Sequence, residues 1–320
     1  MNAPIYAGLV SFFVAVALGP STISFLRWLR FGQHVRTAGP KSHLKKAGTP
    51  TMGGTLIVTA ALISTLFFAT PRSETAAYLI LATLGFCLIG LVDDFIIVVR
   101  QRSLGLRART KLAAQLVIAA VVGLYALDAP GLGPQVLVPF AGGVWEMPAV
   151  LFFILCVAAV AGTANAANFT DGLDGLAAGT SAIACIVYAV IAWRFGLPDA
   201  AVFAAALAGA CLGFSWFNAH PAQVFMGDTG ALALGGAIGT LAVLTRTQLI
   251  LPIIVVIFVI EILSVMIQVP YFRLTKGKRI FKMTPIHHHF EESGWAETKI
   301  VTRFWLIAAV SGVIGLLSLA

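Results

Sequence analysis

The sequence predicts an all-α integral membrane protein, and three observations support that fold class. Of its 320 residues, 59% are hydrophobic and 11% are charged, and the mean hydropathy of +0.95 is far above that of soluble domains. Apolar runs of roughly 20 residues, the length of a membrane-spanning helix, recur along the chain. The basic residues fall in the short segments between these runs, a pattern typical of membrane topology. We expect one polytopic membrane domain over residues 1–320.

Ten apolar segments are candidates for membrane helices. They cover residues 5–26, 53–70, 76–93, 112–127, 148–164, 176–193, 200–216, 231–245, 248–270 and 303–320. The eighth is short and rich in glycine, which favours close helix packing over lipid contact. In the ninth, Pro252 and Pro270 predict a curved or broken helix with a groove for a lipid chain beside it. Between the fourth and fifth, the stretch 136–140 followed by Gly142 and Gly143 predicts a small hairpin.

The distribution of basic residues predicts the orientation of these helices. Eighteen of the 21 Lys and Arg residues follow an odd number of crossings, so that side is expected to be cytoplasmic and both termini external. The first helix has basic residues after it and none before it, which indicates an uncleaved first span. The cytoplasmic loops are then about 27–52, 94–111, 165–175, 217–230 and 271–302. The net charge of +8 resides in these loops and forms no separate basic domain, so no nucleic-acid partner is expected.

Five carboxylates stand in Gly-flanked turns or at helix ends on the predicted cytoplasmic side. They are Asp93, Asp94, Asp171, Asp174 and Asp228. Two like charges about 4 Å apart repel by roughly 4 kcal/mol at an effective dielectric near 20, so a cation is expected at the adjacent pair. Mg²⁺ bound to a diphosphate fits, because Mg²⁺ takes one or two carboxylates together with phosphate oxygens and water. The alternatives are a solvated helix end for the pair, and helix caps or Asx turns for Asp171 and Asp174.

Two loops combine polar groups that suit an anionic ligand. Segment 41–54 joins cations, hydroxyls and glycines, and it fits either a phosphate cradle or an anchor to lipid headgroups. Three consecutive histidines at 287–289 lie beside basic residues, so they fit metal ligands, contacts to an anionic substrate, or a surface run.

Glu261 and Gln268 lie seven residues apart on one face of the ninth segment. Glu261 has either a functional or an interhelical role, and Gln268 is the better site candidate. The four cysteines, all in apolar runs, are expected to be unpaired core residues.

The motifs resemble one family in order along nearly the whole chain. They are SHxxKxGTPTMGG at 42–54, LVDDF at 91–95, GLxxxxK at 105–111, NxTDGLDGL at 168–176, FMGDTG at 225–230 and QVxYFxxTxGKRIFxMxPIHHHFE at 268–291. The sequence is similar to the phospho-N-acetylmuramoyl-pentapeptide transferases, within the wider polyprenyl-phosphate hexosamine-1-phosphate transferases. PIHHHFE separates this branch from relatives that use other sugars. One position departs from the family pattern DDxxK, because Ile97 replaces the lysine. Its phosphate contact would come from Arg100, Arg102 or Lys111, or be absent.

The resemblance implies a ten-helix, usually dimeric enzyme of the bacterial inner membrane with a cytoplasmic active-site cleft. It implies Mg²⁺ as cofactor, bound by Asp228, with Asp93 and Asp94 as further candidates for the metal. The expected catalytic residues are Asp93, Asp94, Lys111, Asp228 and His289. The expected substrate-binding residues are Lys46, Thr51, Asn168, Asp171, Asp174, Asn218, Phe225, Gln268, His287 and His288.

The expected reaction transfers phospho-MurNAc-pentapeptide from UDP-MurNAc-pentapeptide to undecaprenyl phosphate, giving lipid I and UMP. Asp93 either deprotonates the lipid phosphate for direct attack or acts as a nucleophile in a two-step path. A sister enzyme that transfers GlcNAc-1-phosphate fits the carboxylates but not PIHHHFE. A secondary transporter also carries intramembrane acids and broken helices, but it would place them near the membrane midplane.

Overall fold

Helices form nearly all of the regular structure in the computed structural model, which describes residues 2–29, 48–100, 105–129 and 131–319. The long helices are α1 Asn2–Trp28, α2 Gly54–Phe68, α3 Glu74–Val99, α4 Ala108–Asp128, α5 Ala149–Thr170, α6 Leu176–Arg194, α7 Pro198–Asn218, α8 Gly227–Leu244, α10 Val256–Leu274 and α12 Glu297–Leu317. Two short helices, α9 Leu251–Ile254 and α11 Ile286–Glu291, complete the set. Among the described residues, nine of these helices are long and apolar enough to cross a membrane, and α2 is shorter. The chain is therefore an all-α multi-pass membrane protein, as predicted.

Each of the ten predicted segments corresponds to a helix, but several helices extend beyond the predicted limits. Helix α3 continues to Val99, α4 begins at Ala108 and α5 continues to Thr170. Hydropathy marks where the lipid ends, whereas a helix continues into the interface as long as its backbone hydrogen bonds can form. The prediction that Lys111 and Asn168 lie in loops was therefore wrong, since both lie on helices. Both termini on the external side remain a prediction.

The ninth predicted segment is broken, as predicted, but neither of its two prolines lies at the break. The chain leaves helical geometry at Val255, three residues after Pro252, which divides the segment into α9 and α10. Pro270 lies inside the continuous helix α10. The buried residues of α10 form one stripe, in which the polar side chains of Glu261 and Gln268 are included. The other faces of α10 carry exposed apolar residues, as expected for a helix against lipid.

Helix α8 is enclosed by the rest of the protein. All of its residues from 229 to 244 are buried, and it packs mainly against α3 and α5. At its start, Gly230 meets Gly54 of α2 so closely that a Cβ on Gly54 would overlap the backbone of Gly230. The prediction that the glycines of this segment serve helix packing is confirmed. The start of α8 is thereby held against α2, which positions the residues described below.

The predicted hairpin and the state of the cysteines are also confirmed. Strand β1, Gln135–Val138, pairs antiparallel with β2, Gly143–Glu146, in the connection between α4 and α5. Arg246 donates to Gln135 at 3.0 Å, and its backbone carbonyl accepts the N–H of Leu137 at 2.9 Å. The four cysteines are buried and unpaired.

Candidate active site

Asp94, on α3, accepts three hydrogen bonds from the start of α8. Its Oδ2 accepts the backbone N–H of Thr229 at 3.0 Å and the Thr229 hydroxyl at 2.6 Å, and its Oδ1 accepts the N–H of Asp228 at 3.2 Å. The first N–H groups of a helix have no partner within it, and a carboxylate is stabilised beside them by the helix dipole. Asp94 therefore caps α8 from a different helix. This contact fixes the backbone that carries the Asp228 side chain.

Lys111 lies between two carboxylates that come from different helices. Its Nζ is 3.1 Å from Oδ2 of Asp93, on α3, and it also forms an ion pair with Oδ2 of Asp228, on α8. The other oxygen of Asp93 accepts the backbone N–H of Leu106. The carboxyl groups of Asp93 and Asp228 also lie within hydrogen-bonding reach of each other. One ammonium group thus offsets the repulsion between two carboxylates that the fold brings together.

The end of α5 adds an amide and a fourth carboxyl group. Nδ2 of Asn168 donates to Oδ1 of Asp228 at 2.6 Å. Asp171 follows the last residue of α5 and accepts the backbone N–H of Gly227. Burial raises the pKa of Asp171, and the nearby charges of Asp228 and Asp94 raise it further, to about 8. Asp171 therefore holds a proton more readily than an ordinary carboxyl group does.

Segment 50–54 holds the other side of the α8 start. It pairs with segment 225–227 through backbone hydrogen bonds of 2.8 to 2.9 Å, which include both the N–H and the carbonyl of Phe225. Gly227 has a positive φ of 73°, and a Cβ there would meet Oγ1 of the buried Thr51. Only glycine adopts this conformation without strain. The predicted residues Thr51 and Phe225 are thus brought next to the carboxylates.

Asp174 and Asn218 belong to a neighbouring hydrogen-bond network. Oδ2 of Asp174 lies 3.0 Å from Nδ1 of His220 and accepts the N–H of Ala222 at 3.1 Å. The backbone N–H of Asp174 donates to Glu297 at 2.7 Å, and the side chain of Asn218 accepts the next N–H of the same loop at 3.0 Å. The network joins the 171–175 loop to the start of α12. We infer that it sets the shape of this loop.

The histidine loop, residues 279–291, is attached to α10 by Gln268. Oε1 of Gln268 accepts the backbone N–H groups of Ile280 and Phe281 at 3.0 and 3.1 Å, and Nε2 donates to the Phe281 carbonyl at 3.1 Å. Nδ1 of His289 accepts the N–H of Lys282 at 3.1 Å. Both ends of the Gln268 amide therefore hold the loop, and so does one nitrogen of His289.

His287 is buried between α10 and the 171–175 loop. It is 1% exposed, and its Nδ1 lies 3.0 Å from Oε1 of Glu261, a side chain with no exposed surface. Its other nitrogen faces Gly172, where a Cβ would overlap the imidazole ring. His288 is directed differently, with Nδ1 2.7 Å from Glu291. The three histidines thus have three different environments, and His287 links α10 to the loop that carries the carboxylates.

The structure brings most of the predicted site residues into two connected groups. The first group contains Thr51, Asp93, Asp94, Lys111, Asn168, Asp171, Phe225 and Asp228. The second contains Gln268, His287, His288 and His289, and the 171–175 loop with Asp174 and Asn218 joins it to the first. Lys46 and the rest of the basic loop over 30–47 lie outside the described residues, as does Arg102. The individual roles of all these residues remain predictions.

Sequence reasoning missed several residues that hold the site. Thr229 stands next to Asp228 in a quoted motif, and asking what pairs with the free N–H groups of α8 would have indicated it. Gly172 also lies in a quoted motif, but His287, which it contacts, lies 115 positions further along the sequence. His220 and Glu297 carried no signal, because neither lies in a recognisable pattern. Such long-range partners depend on helix packing and not on local sequence.

The first group provides the donor set that Mg²⁺ prefers. Its carboxylate and amide oxygens are hard ligands, and the position of Lys111 shows that a positive charge is held between Asp93 and Asp228. A second set of ligand types consists of Asp174, His220 and Glu297, with one donor atom of each within 4.8 Å of the others. That set includes the nitrogen of His220, a ligand that suits Zn²⁺ better than Mg²⁺, whereas the first group offers oxygen donors. The residues of the first group therefore fit a magnesium ion better.

The comparisons with known proteins agree on one family. The profile of Glycosyl transferase family 4 matches residues 76–246, and the phospho-N-acetylmuramoyl-pentapeptide-transferase signature 1 matches residues 46–58. A phospho-N-acetylmuramoyl-pentapeptide-transferase of Alkaliphilus oremlandii is 48% identical over 98% of this chain and 97% of its own. The chain belongs to the phospho-N-acetylmuramoyl-pentapeptide-transferase family. Transferases of the same name from Moorella thermoacetica and Heliobacterium modesticaldum are 49% and 48% identical over 95% and 99% of this chain, and over 94% and 98% of their own.

Membership in this transferase family fits the way the site is assembled. The family profile spans α3 to α8, the helices that carry Asp93, Lys111, Asn168 and Asp228. The matched signature covers the segment that pairs with residues 225–227 at the start of α8. The parts of the chain that match the family are therefore the helices and the segment that hold the first group of residues.

Proposed function

We propose that this protein transfers phospho-MurNAc-pentapeptide from UDP-MurNAc-pentapeptide to undecaprenyl phosphate, with release of UMP and formation of lipid I. The observation that supports this most strongly is that motif residues distant in sequence meet around Asp228 in a chain nearly half identical to named transferases. The proposed location is the bacterial inner membrane, with the carboxylates on its cytoplasmic side. A homodimer remains a prediction, which a mass measurement in lipid nanodiscs would test.

In the proposed reaction, an oxygen of the lipid phosphate attacks the β-phosphorus of the nucleotide sugar. The new P–O bond forms as the bond to UMP breaks, and UMP leaves with its oxygen. Both reactants are anions, so the chief task of the protein is to hold them together and offset their charge. Lys111 is suited to this task, because its ammonium already lies where two negative groups meet.

Mg²⁺ is proposed to bind at Asp228, with Asp93 as a second carboxylate ligand. When bound, it would supply positive charge to the diphosphate of the nucleotide sugar. Asn168 holds one oxygen of Asp228, so the other oxygen is the one shared with Lys111 and the one a cation would take. Both oxygens of Asp94 accept hydrogen bonds from α8, which favours a positioning role for Asp94 over metal binding.

The deciding experiment measures UMP release by the purified protein in lipid nanodiscs. We expect release to require undecaprenyl phosphate, UDP-MurNAc-pentapeptide and Mg²⁺ together. UDP-GlcNAc in place of the natural donor tests the sister activity, and product formation with it alone would contradict the proposal. No UMP release from either donor would contradict the transferase function as a whole and leave the transporter alternative.

A trapping experiment separates the two roles open to Asp93. In the two-step path, Asp93 displaces UMP and carries phospho-MurNAc-pentapeptide until the lipid phosphate displaces Asp93. Exchange of labelled UMP into the donor without lipid phosphate, together with trapped Asp93 that carries this group, would indicate that path. Direct attack predicts neither result. In that case Asp93, held by Leu106 and Lys111, would accept the proton of the lipid phosphate.

A further inference from the structure

A pocket lies at the end of α10. Its lining residues are not members of the first group, which contains the carboxylates. It has a volume of about 280 Å³, and its lining includes Gln268, Phe272, Arg273, Arg279, Met283 and Thr284. The segment 273–282 contains five Lys and Arg residues and no acidic residue. The pocket therefore combines apolar walls with two guanidinium groups, a composition that suits an organic anion.

Arg279 is held in place before any ligand arrives. Its guanidinium lies over the ring of Phe272, 5.6 Å from the ring centre, and Nη1 donates to the carbonyl of Lys282 at 2.9 Å. A guanidinium group has five N–H donors, so one hydrogen bond to the backbone leaves others for a ligand. A side chain ordered in this way loses less entropy on binding, which strengthens the contact.

Continuous contacts connect this pocket to the carboxylates. Gln268, which lines the pocket, binds the backbone of the histidine loop near its start. Within that loop, the backbone N–H of Lys282 donates to His289. On the same short helix α11, His287 packs against Gly172, the neighbour of Asp171. The loop that forms one wall of the pocket is thus the loop that contacts the 171–175 segment beside the carboxylates.

We propose that this pocket binds a carboxylate of the pentapeptide on the donor substrate. This inference depends on the proposed function, which supplies a donor with a peptide chain and at least its terminal carboxylate. Five extended residues reach at most roughly 17 Å, so a peptide that starts at the sugar can extend along the histidine loop. Arginine binds carboxylates through paired N–H groups, and Arg273 and Arg279 lie in one pocket. A peptide is favoured over a lipid headgroup, because three of the lining residues belong to the histidine loop, along which the peptide would extend. They are Arg279, Met283 and Thr284.

The test compares two donors in wild-type protein and in the variant Arg279→Gln. The donors are UDP-MurNAc-pentapeptide and UDP-MurNAc, which lacks the peptide, and their affinities are measured by calorimetry in nanodiscs. We expect Arg279→Gln to weaken binding of the pentapeptide donor about tenfold, the size of one charge-assisted hydrogen bond, and to leave UDP-MurNAc binding unchanged. Arg273→Gln should act in the same direction. Lys278→Gln, a basic residue of the same segment outside the pocket lining, serves as the matched control and should change neither affinity.

Three outcomes would overturn this assignment. An equal loss of affinity for both donors would mean that Arg279 acts through loop structure or general charge. No loss for either would mean that the peptide binds elsewhere. If activity requires phosphatidylglycerol in the nanodisc and Arg279→Gln removes that requirement for both donors alike, the pocket binds a lipid headgroup. Failure of the proposed function looks different, since wild-type protein would then release no UMP from UDP-MurNAc-pentapeptide.

Discussion

The carboxylates and the histidines border one another, but the protein holds them in different ways. The carboxylates stand at the ends of long helices whose packing fixes them, and Asp94 even serves as the cap of α8. The histidines stand on a six-residue helix, which is connected to α10 by the buried pair Glu261 and His287 and by the apolar packing of Ile286 and Phe290. Groups that must keep a fixed geometry benefit from rigid elements, whereas recognition tolerates loops. This difference supports the proposal that the carboxylate side carries out the chemistry and the histidine side recognises the donor.

The largest effect is expected from Asp228→Ala. Loss of this carboxylate removes the proposed metal ligand and leaves Lys111 paired with Asp93 alone, so UMP release should fall by about a thousandfold or more. The helix start remains capped by Asp94, so the melting temperature should change little. Asp228→Asn is the matched control for shape and should be nearly as inactive. Turnover near the wild-type level would remove Asp228 from the metal site.

On the histidine side, Glu261→Ala tests whether one buried contact positions the loop. Without the Glu261 carboxylate, buried His287 would lose the group that lies 3.0 Å from its Nδ1, and we expect kcat/KM for the donor to fall about a hundredfold. Glu261→Gln keeps an acceptor for His287 and should restore most of the activity. Ser264→Ala, on the same buried stripe of α10, is the control and should remain within about twofold of wild type. An equal loss in all three variants would point to general damage of α10.

Asp94→Ala should affect stability more than Asp228→Ala does, which sharpens the comparison within the carboxylate side. Loss of a cap typically costs about 1 to 2 kcal/mol, and here three hydrogen bonds to α8 disappear together. We expect a lower melting temperature and activity reduced about tenfold or more. If the melting temperature is unchanged while activity is abolished, Asp94 acts in the chemistry and not as a cap.

Lys111→Met tests whether the ammonium and the metal ion compete for the same oxygen. Removal of a positive charge between Asp93 and Asp228 should tighten Mn²⁺ binding in the absence of substrate by about tenfold. Electron paramagnetic resonance of free Mn²⁺ measures this directly. Lys111→Arg keeps the charge and should bind Mn²⁺ as weakly as wild type. Unchanged affinity in Lys111→Met would place the metal away from these two carboxylates.

The smallest effect concerns the pH dependence of metal binding through Asp171. Its raised pKa of about 8 means that a proton competes with a bound cation below pH 8, so Mg²⁺ affinity should rise several-fold from pH 6.5 to 8.5. In the metal-free protein the sign for stability is opposite. A carboxyl whose pKa is raised on folding stabilises the fold below its unfolded pKa of 3.8, and this contribution is lost as pH rises towards 8. Asp171→Asn should flatten both dependences, as measured by calorimetry and thermal unfolding at each pH.

The sequence was sufficient for the transmembrane architecture but not for the contacts within the site. Hydropathy located all ten segments, because lipid burial is a local property of composition, and the two glycines after the stretch 136–140 located the hairpin. The gathering of Asp94 and Asp228 could be anticipated, but the capping of α8 by Asp94 could not, since it depends on how two helices pack. The pairing of Glu261 with His287 was also beyond prediction, because a buried Glu in a membrane helix has many possible partners. A curved or broken ninth helix was predicted, but the position of the break at Val255 was not.

The complete enclosure of α8 has a consequence for biogenesis. This helix is the least apolar of the nine candidate spans and offers almost no side chain to lipid, yet it carries Asp228 at its first turn. Inserted alone, it would be poorly retained in the bilayer, so its integration by the translocon depends on α3 and α5 having been synthesised first. The order of synthesis along the chain meets that requirement. Asp228, the proposed metal ligand, therefore enters the bilayer only when the surrounding helices are present to receive it.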